Sequence, residues 1–496
     1  MNKLFLVIDL GTSSVKVVAY DNRGNAVASA KGDYPVHHPQ PDWAEQAPED
    51  WWARTSEAVR RVAAQVPPGS VAAVSACSQR EGMVPVDERC NALLPCIIWL
   101  DMRTGAQGER IERELGLERG YGLTGLRPGP AWSLPKLMWI RENEPKVFDA
   151  AYKFVQPGDF ILARLSGRFV EDFSMASRTM MFEPAKRCWC PEILDHFGIP
   201  AGKMPQLIES GSVISEIRPE AAQELGLDEG TLIVAGGGDQ QCAGIGVGAV
   251  GEGKVGAGIG TGTALVVDLK EPKIDPAMSI PLNCHAVPGH WEYEPCLWIS
   301  GGLLSWFCDE FYRDSGRGFE TMIAEVAGLP AGADGLTALP YFVGAGSPNW
   351  HPQAEGVFAG VRPGHKRGHF ARALFEAIAM EIRLNLEAVQ ANGVNVSQIV
   401  LSGGASRNEP LCRIVASALP VPVAVTENAD AASLGAAMLA ALGAGEFDCI
   451  EDAVAAMRHP DRAIAPDPAA AKRYDKTYDR YRELYRSLRG YFGGRT

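Results

Sequence analysis

Several features that would direct a chain to a membrane or to nucleic acid are missing from this sequence. No stretch of the sequence approaches the roughly 18 consecutive strongly apolar residues that a membrane-spanning helix needs, so we expect no such helix. Acidic residues outnumber basic ones by 60 to 47, and the net charge of −13 argues against nucleic acid or an anionic membrane surface as the main partner. The first residues run directly into a strand-like segment, and we expect no secretion signal.

Paired cysteines are also lacking. The eleven cysteines are scattered along the chain, and only Cys188 and Cys190 lie close together in sequence. No histidine or second cysteine pair stands at the spacing of a zinc site. This pattern argues against a disulfide scaffold or a zinc module, and it favours reduced thiols and a cytoplasmic location.

What is present is the composition of a folded protein with more than one core. The 496 residues are 46% hydrophobic and 22% charged, which argues against a mainly disordered chain. A chain of this length corresponds to about two to four domains. Strand-like runs alternate with helical patterns, and 54 glycines and 34 prolines cluster at the turns, so we predict an α/β architecture.

The beginning of the chain has the pattern of a β-meander. Residues 4–9, 15–20 and 26–31 are strand-like, and short turns at 11–14 and 21–24 separate them. The meander predicts one sheet edge built from consecutive antiparallel strands.

Helices and further strands are predicted after the meander. Residues 51–66, 369–390 and 431–442 have helical patterns, and residues 71–76 and 231–234 are strand-like. Near the end of the chain, four tyrosines at helical spacing predict a packed helix face: Tyr474, Tyr478, Tyr481 and Tyr485.

One sequence pattern occurs twice. Residues 8–20 (IDLGTSSVKVVAY) resemble residues 258–268 (GIGTGTALVVD), and both place a Gly-Thr turn between strand-forming residues. Thr12 and Thr261 stand half a chain length apart. A duplicated unit would bring the two turns face to face across a cleft, so we predict two related domains.

We place the boundary between these domains in the glycine-rich stretch 246–253. The predicted units are residues 1–246, residues 247–445 and a helical tail at 446–496 that packs on the body. No low-complexity linker marks the boundary, so we expect tightly coupled halves.

Two facing Gly-Thr turns are suited to a polyphosphate. Glycine lets the backbone approach an anion closely, and backbone N–H groups and hydroxyls donate to it. Asp9 ends the first strand, where a carboxylate would hold Mg²⁺ through water, and Lys16 would reach a phosphate or solvent. One such turn is usually only a hairpin, but the pair favours nucleotide binding.

Other nucleotide-binding patterns do not fit. Residues 248–255 (GAVGEGKV) match the phosphate-binding P-loop except at Val255, which has no hydroxyl for Mg²⁺. No dinucleotide fingerprint of glycines follows a strand in a βαβ unit, which argues against a nicotinamide or flavin enzyme.

Two further motifs contain charged residues, and each motif has a structural and a functional interpretation. In AGGGDQQ (235–241), Asp239 either caps a helix or acts as a general base in a glycine-walled cleft. In SACSQREG (75–82), Arg80 and Glu81 are either surface charges or a grip for polyol hydroxyls. Trp132 would line a sugar face, although tryptophan more often belongs to a core.

These motifs, in this order, resemble those of the FGGY family of carbohydrate kinases in the actin/hexokinase/Hsp70 superfamily. The resemblance spans about residues 4–445, and it implies an α/β fold of two ribonuclease-H-like domains, of the actin/hexokinase type, flanking a central nucleotide and sugar cleft. Its further motifs are DWAEQ (42–46), SLPKLMWIREN (133–143), GVFAGVRPGHKRGHFARALFEAI (356–378), LSGGASRNEP (401–410) and SLGAAMLA (433–440).

The resemblance implies ATP-dependent phosphorylation of a small ketose or polyol, with Mg²⁺. It implies that Asp239 is the catalytic base and that Asp9 belongs to the Mg²⁺ site. The residues expected at the acceptor are Gln79, Arg80, Glu81, Trp132, Asp239 and Gln240. The residues expected at ATP are Thr12, Ser13, Lys16, Gly260, Thr261, Gly262, Thr263, Gly403, Gly404 and Asn408.

The residues leave the acceptor open. The motif spacing is most similar to kinases of xylulose, yet those usually carry Met-His where this chain has Arg80-Glu81. Arg-Glu here is similar to glycerol kinases, and residues 72–82 also look like kinases of the autoinducer-2 dihydroxy-dione. Ala131 stands where glycerol kinases tend to have an aromatic residue, which weakens glycerol. We predict a pentulose, D-xylulose first, with ribulose, a tetrulose, glycerol and the dione as alternatives.

Two other functions are compatible with this superfamily fold. An ATP-driven clamp would need a peptide-binding appendage, and only residues 446–496 follow the last motif. A sugar-binding regulator without catalysis is disfavoured by the presence of Asp239, Asp9 and both turns. For the assembly, a homodimer is one possibility that we consider.

Overall fold

The computed structural model describes residues 3–313, 316–428 and 430–493, which form two large sheets flanked by helices. The strands of the first half are β1 (Leu4–Leu10), β2 (Ser14–Tyr20), β3 (Ala26–Asp33), β4 (Glu45–Gln46), β5 (Val71–Ser78), β6 (Val84–Val86), β7 (Cys96–Ile97), β8 (Lys153–Val155), β9 (Val170–Asp172), β10 (Phe182–Glu183), β11 (Cys188–Trp189), β12 (Gln206–Ile208), β13 (Val213–Glu216) and β14 (Leu232–Gly238). Its helices are α1 (Pro48–Ala63), α2 (Gly105–Leu115), α3 (Leu117–Thr124), α4 (Ser133–Asn143), α5 (Pro145–Ala150), α6 (Pro157–Ser166), α7 (Phe173–Ala176), α8 (Pro191–His196), α9 (Pro219–Leu225) and α10 (Asp239–Gly246).

The second half continues the same numbering. Its strands are β15 (Lys254–Ile259), β16 (Thr263–Leu269), β17 (Leu282–Cys284), β18 (Trp291–Tyr293), β19 (Cys296–Leu297), β20 (Thr337–Leu339), β21 (Val357–Ala359), β22 (Gln398–Ser402), β23 (Val423–Val425) and β24 (Arg462–Ile464). Its helices are α11 (Gly301–Phe311), α12 (Gly318–Ala327), α13 (Arg367–Ala391), α14 (Glu409–Ala418), α15 (Ala431–Gly443), α16 (Ile450–Met457) and α17 (Pro468–Phe492).

The two large sheets repeat one topology. The first has the order β13-β14-β5-β1-β2-β3, with β1 antiparallel to β2 and parallel to β5. The second has the order β24-β23-β22-β15-β16-β18-β17, with β15 antiparallel to β16 and parallel to β22. All six strands of the first sheet therefore match six consecutive strands of the second in order and direction, which confirms the predicted fold of two related α/β domains.

Equivalent helices join the two halves. Helix α10 follows β14, helix α15 follows β23, and the two helices pack against each other. Helix α15 also covers β1, β5 and β14, so Leu434 and Met438 share one core with Phe5 and Val7. A helix from the second half thus completes the core of the first, and this packing agrees with the expected tight coupling.

The predicted helical tail at 446–496 contains a strand as well as helices. Strand β24 pairs antiparallel with β23 and extends the second sheet. Three residues are too few to show a periodicity, so only the sheet edge reveals this strand. In α17, Tyr474, Tyr478 and Tyr481 are at most 2% exposed, which confirms the predicted packed face.

Most predicted elements are present with shifted ends. The helix predicted at 51–66 begins at Pro48, because the fixed φ of proline suits the first helical turn. The strand predicted at 231–234 continues to Gly238, since pairing with β5 compensates for the weak strand preference of glycine. None of the helices in the part of the chain described above is long and apolar enough to cross a bilayer.

Candidate active site

A charged cluster lies where two parallel strands of the first sheet end. Arg80 and Glu81 follow β5, and Asp239 follows β14 as the first residue of α10. Gly238 and Ser78 are paired in the parallel register of these strands, so the two chain segments leave the sheet side by side. This edge of a sheet is where α/β proteins place their functional residues.

Gly238 makes the close approach within this cluster possible. A Cβ atom at this position would lie 2.6 Å from Cδ of Arg80 and 2.3 Å from Oε1 of Gln241. The absence of that atom leaves room for the arginine side chain to pass along β14 towards Asp239. The glycine is therefore a steric requirement of the site.

Arg80 connects both halves of the molecule. Its Nη1 and Nη2 atoms donate to the two carboxylate oxygens of Glu294, at 2.5 and 2.8 Å, and Nη1 also donates to Gln241 Oε1 at 3.0 Å. Its Nε atom lies 3.4 Å from Asp239 Oδ1. Glu294 follows β18 of the second half, so residues of both halves build this cluster.

Glu81 is held in an unusual backbone conformation. Its φ of 64° lies in the left-handed region, which costs on the order of 1–3 kcal/mol for a residue with a side chain. Gln156 Oε1 accepts from its N–H at 2.8 Å, and the Ser133 hydroxyl donates to its carbonyl at 3.2 Å. These contacts fix the direction of the carboxylate, which accepts from Arg178 Nε at 2.7 Å.

Trp132 lies behind this cluster. The guanidinium of Arg178 stacks over its ring, 4.7 Å from the centroid, and Trp132 Nε1 donates to the carbonyl of Arg127 at 2.7 Å. The tryptophan is only 6% exposed. Its contacts stabilise the orientation of Arg178 through a cation–π interaction.

Asp239 is the most open carboxylate of the cluster. Its side chain is 30% exposed, compared with 9% for those of Arg80 and Glu81. Loss of hydration raises its pKa to about 6; Arg80 opposes this change, and the negative charges of Glu81 and Asp9 add to it. At neutral pH the carboxylate is ionised and has a pKa suited to accepting a proton.

The turn between β1 and β2 is held from behind. The Gly11 N–H donates to Ser14 O at 3.0 Å and closes the turn. The carbonyls of Gly11 and Thr12 accept from the side-chain amides of Gln79, at 3.3 Å, and Gln46, at 2.5 Å. With these oxygens occupied, the N–H groups of the turn are the atoms suited to an anion.

The turn between β15 and β16 is also closed by a hydrogen bond from its first glycine. The Gly260 N–H donates to Gly262 O at 2.8 Å. The carbonyl of Gly260 accepts from Gly301 N–H at 3.0 Å, and that of Thr261 accepts from Ser300 N–H at 2.7 Å. The start of α11 thus occupies the carbonyl oxygens of this second turn.

The first turns of α10 and α15 each contact a strand of the other half. The Ser433 hydroxyl, on α15, donates to Asp9 Oδ2 at 3.0 Å at the end of β1. On α10, Gln240 places its Oε1 atom 3.3 Å from the Cβ position of Gly258, near the end of β15. Each helix therefore reaches the hairpin-bearing strand of the other half.

A third glycine turn lies beside the second hairpin. Strand β22 ends at Ser402, which is paired with Gly258 in parallel register. Gly403 and Gly404 follow directly, with open space on the Cβ side of Gly404. Asn408 accepts the Leu411 N–H at 3.2 Å and caps α14, which fixes the end of the turn.

Asp9 is the carboxylate that we expect to hold Mg²⁺. Burial raises the pKa of Asp9, and the nearby charge of Asp430 raises it further, whereas Lys16 lowers it. Among the described residues there is no group of three or more His, Cys, Asp or Glu side chains that would hold a metal ion by itself. One carboxylate completed by water and phosphates fits Mg²⁺, which usually binds in that way.

The comparison with known protein families identifies the fold. The N-terminal domain of the FGGY family of carbohydrate kinases matches residues 4–246, and its C-terminal domain matches residues 257–444. The chain belongs to this family.

The kinase resembles proteins named for three different acceptors. It is 29% identical over 485 residues to the xylulose kinase of Bacillus subtilis (strain 168), with 97% of each chain covered. It is 31% identical over 461 residues to the glycerol kinase of Thermococcus gammatolerans, with 91% of each covered. The crystal structure of gluconate kinase from Lactobacillus acidophilus superposes with a TM-score of 0.94 at 25% identity, with 100% of each chain covered.

The structure of the kinase groups only some of the predicted acceptor residues. Arg80, Glu81 and Asp239 lie together, and Trp132 stands one layer behind them. Gln79 instead contacts Gln46 and the first turn. The Gln240 side chain points towards β15 of the second half, so it lies on the side of the second turn.

The predicted ATP residues of the kinase belong to the two hairpins and the third turn. Lys16 pairs with Asp430, and the Thr12 hydroxyl accepts from Trp99 Nε1 at 3.0 Å. The Thr263 hydroxyl is buried and donates to Ser300 Oγ at 2.8 Å. These side chains brace the turns, which leaves the backbone N–H groups as the main candidates for phosphate contacts. The assignments of Ser13 and of the glycines remain predictions.

Sequence reasoning missed three residues of the charged cluster. Gln241 stands within the GGGDQQ motif, but the sequence analysis assigns the adjacent Gln240 to the acceptor instead. Arg178 and Glu294 belong to no motif, and each reaches the cluster from a distant part of the chain. No local pattern could have identified these two, because their positions depend on tertiary packing.

Proposed function

We propose that this kinase transfers the γ-phosphate of ATP, bound with Mg²⁺, to a hydroxyl of a small ketose, with D-xylulose as the first candidate. The observation that carries the proposal is the position of Asp239. An ionised, partly exposed carboxylate stands beside the Arg80–Glu81 pair, at the edge of the first sheet where β1 also ends in its hairpin turn.

Asp239 would act as the general base. The acceptor hydroxyl would lie against Arg80, Glu81 and Asp239, with Arg80 as donor and the carboxylates as acceptors. As the hydroxyl oxygen attacks the γ-phosphorus and displaces ADP, its proton would pass to Asp239. The pKa of about 6 leaves this carboxylate ready to accept at neutral pH.

The nucleotide would lie across the two halves. Backbone N–H groups of the turns at 11–14 and 260–262 would hold the phosphates, and the turn at 403–408 would hold adenosine. Asp9 would hold Mg²⁺ through water, and the ion would neutralise phosphate charge. Closure of the halves around the substrates would exclude water and so limit ATP hydrolysis.

The choice of acceptor rests on similarity over nearly the whole chain to a xylulose kinase. Glycerol is the second candidate, because a glycerol kinase is also similar and because an Arg-Glu pair suits a small polyol. Ribulose, a tetrulose and the autoinducer-2 dione remain further alternatives.

A coupled assay of ADP release on purified protein tests the proposal. The panel is D-xylulose, D-ribulose, a tetrulose, glycerol, the dihydroxy-dione and no acceptor, each with MgATP. We expect ADP release that depends on an acceptor and is fastest with a pentulose. Hydrolysis at the same rate with every acceptor and with none would favour the ATP-driven clamp, and the Asp239→Asn variant serves as the catalytic control.

The cellular setting is part of the proposal. All eleven cysteines are free thiols, and this state suits the reducing cytoplasm. The sugar and ATP are the partners that we propose, and a homodimer stays a prediction that size measurement in solution would test.

A further inference from the structure

The strongest unassigned interaction in the cluster is the ion pair of Arg80 with Glu294. Two parallel hydrogen bonds join the groups, and Arg80 is 8% exposed and Glu294 2% exposed. Burial raises the pKa of Glu294, but the charges of Arg178 and Arg80 outweigh burial and lower this pKa to about 2, so the carboxylate is ionised at neutral pH. The geometry is that of a strong bidentate Arg–carboxylate contact.

This contact determines which face of Arg80 remains available. Nη1 donates to both Gln241 and Glu294, and Nη2 donates to Glu294. The Nε edge points the other way, 3.4 Å from Asp239 and 3.9 Å from Glu81. The arginine therefore presents one defined edge to a hydroxyl lying beside Asp239.

The other cations near the cluster also lie beside carboxylates or carbonyls, although Arg178 Nη1 is buried without a hydrogen-bond partner. Arg178 donates to Glu81 at 2.7 Å and lies 3.7 Å from Glu294. Lys136 is fully buried, and its Nζ donates to the carbonyls of Ala131, at 2.5 Å, and Trp132, at 3.2 Å. The most exposed ionised group of the cluster is the negative Asp239 carboxylate. A carboxylate on the acceptor would meet this charge without an unpaired cation to balance it.

We propose that Glu294 is a positioning and specificity residue, which orients Arg80 and neutralises its charge so that the acceptor site takes uncharged polyols and rejects aldonates. The inference rests on the proposed function and names the substrate class of that site. It also means that a residue of the second half sets the acceptor geometry of the first.

The chain offers a matched control within the same buried layer. Glu292 accepts from Gln241 Nε2 at 2.7 Å and lies 3.8 Å from His285 Nε2, and among the described residues no arginine forms an ion pair with it. Burial and the charge of Glu294 raise the pKa of Glu292 well above its usual value, and the charges of Arg80 and Arg178 oppose this change. Glu292→Gln therefore leaves the Arg80–Glu294 ion pair in place, whereas Glu294→Gln removes the charge that pairs with Arg80.

Steady-state kinetics with D-xylulose and MgATP provide the first readout. Glu294→Gln should raise the KM for D-xylulose roughly 10–100-fold, as expected for a weakened charged hydrogen bond, while the KM for ATP stays within about threefold. Glu294→Asp, which keeps the charge, should recover much of the loss. Glu292→Gln should change both constants by less than about threefold. Equal effects of the two glutamine variants would refute the inference.

Competition by D-gluconate and D-xylonate provides the second readout. The wild-type kinase should turn over neither compound, and both should inhibit weakly. Glu294→Gln should bind them at least several-fold more tightly relative to D-xylulose, because its Arg80 charge is no longer paired. Turnover of gluconate by the wild-type kinase with a kcat/KM similar to that of D-xylulose would overturn the inference even if no variant folds.

Failure of the proposed function gives a different result. In that case neither the neutral acceptors nor the aldonates support ADP release by the wild-type protein, and the inference falls with the function. If a neutral acceptor other than D-xylulose works best, the same variants are tested with that compound.

Discussion

The pKa of Asp239 allows a quantitative test of the proposed mechanism. We predict that kcat/KM for the acceptor rises with pH through an apparent pKa of about 6, because only the ionised carboxylate can accept the hydroxyl proton. About nine-tenths of the sites are active at pH 7 and about one-tenth at pH 5. Asp239→Asn has the same shape but cannot act as a base, so turnover should fall about 10²–10⁴-fold.

The same carboxylate should lower the stability of the fold. Its pKa is raised from 3.8 to about 6, so ionisation in the folded state is unfavourable. The difference corresponds to about 3 kcal/mol at most, and to less in practice because 30% of the side chain is exposed. The cost is complete above pH 6 and disappears below pH 3.8, where both the folded and the unfolded chain hold the proton. Asp239→Asn should therefore unfold at a higher urea concentration than the wild type at pH 8, with a smaller gain at pH 5.

A second buried carboxyl provides the control for these measurements. Glu381 on α13 accepts from the Tyr341 hydroxyl at 2.7 Å and from the Tyr481 hydroxyl, and burial raises its pKa to about 7. It lies on the side of α13 that packs against α17, so Glu381→Gln should leave turnover and its acid limb unchanged. The reasoning is refuted if Asp239→Asn keeps more than a tenth of wild-type turnover, or if the wild-type acid limb lies near pH 4.

Three further predictions concern the nucleotide site and the joint between the halves. Gly301→Ala would place a Cβ atom 2.4 Å from the Gly260 carbonyl oxygen, so it should raise the KM for ATP at least tenfold. Gly490→Ala is the control, because a Cβ atom there would have no other atom within 4 Å. Equal KM values for ATP in the two variants would contradict this account of the second turn. Removal of divalent ions with EDTA should abolish ADP release and added Mg²⁺ should restore it, and undiminished turnover in EDTA would argue against Asp9 as a metal site. Leu434→Ala in α15 should lower the free energy of unfolding by about 2–5 kcal/mol, because this fully buried side chain lies in the core that both halves share. A loss below about 1 kcal/mol in urea unfolding would contradict that packing.

Local sequence patterns were sufficient for much of the fold. The strand-like runs and turns of β1 to β3, the 3.6-residue spacing in α13 and the repeated Gly-Thr turns all act over a few residues, so each can be recognised without the rest of the chain. The repeat at half-chain distance predicted two related sheets, and the strand orders confirm that prediction. The three-residue strand β24 was missed because its pairing with β23 depends on the sheet rather than on its own residues.

The site shows the same division between local and distant information. Arg80, Glu81 and Asp239 could be proposed because each belongs to a short motif at the end of a strand. The partners that hold them are Arg178 and Glu294, which are distant in sequence and reach the cluster only in the folded chain.

The sequence by itself therefore determined the class of fold, the duplicated Gly-Thr turns and the choice of a candidate base. Only the tertiary structure decided that Gln79 and Lys16 have partners outside the acceptor cluster, and that Arg80 is paired across the two halves with Glu294. The physical reason is that strand patterns and tight turns arise from neighbouring residues, whereas the charge, hydration and orientation of a side chain depend on every group that packs around it.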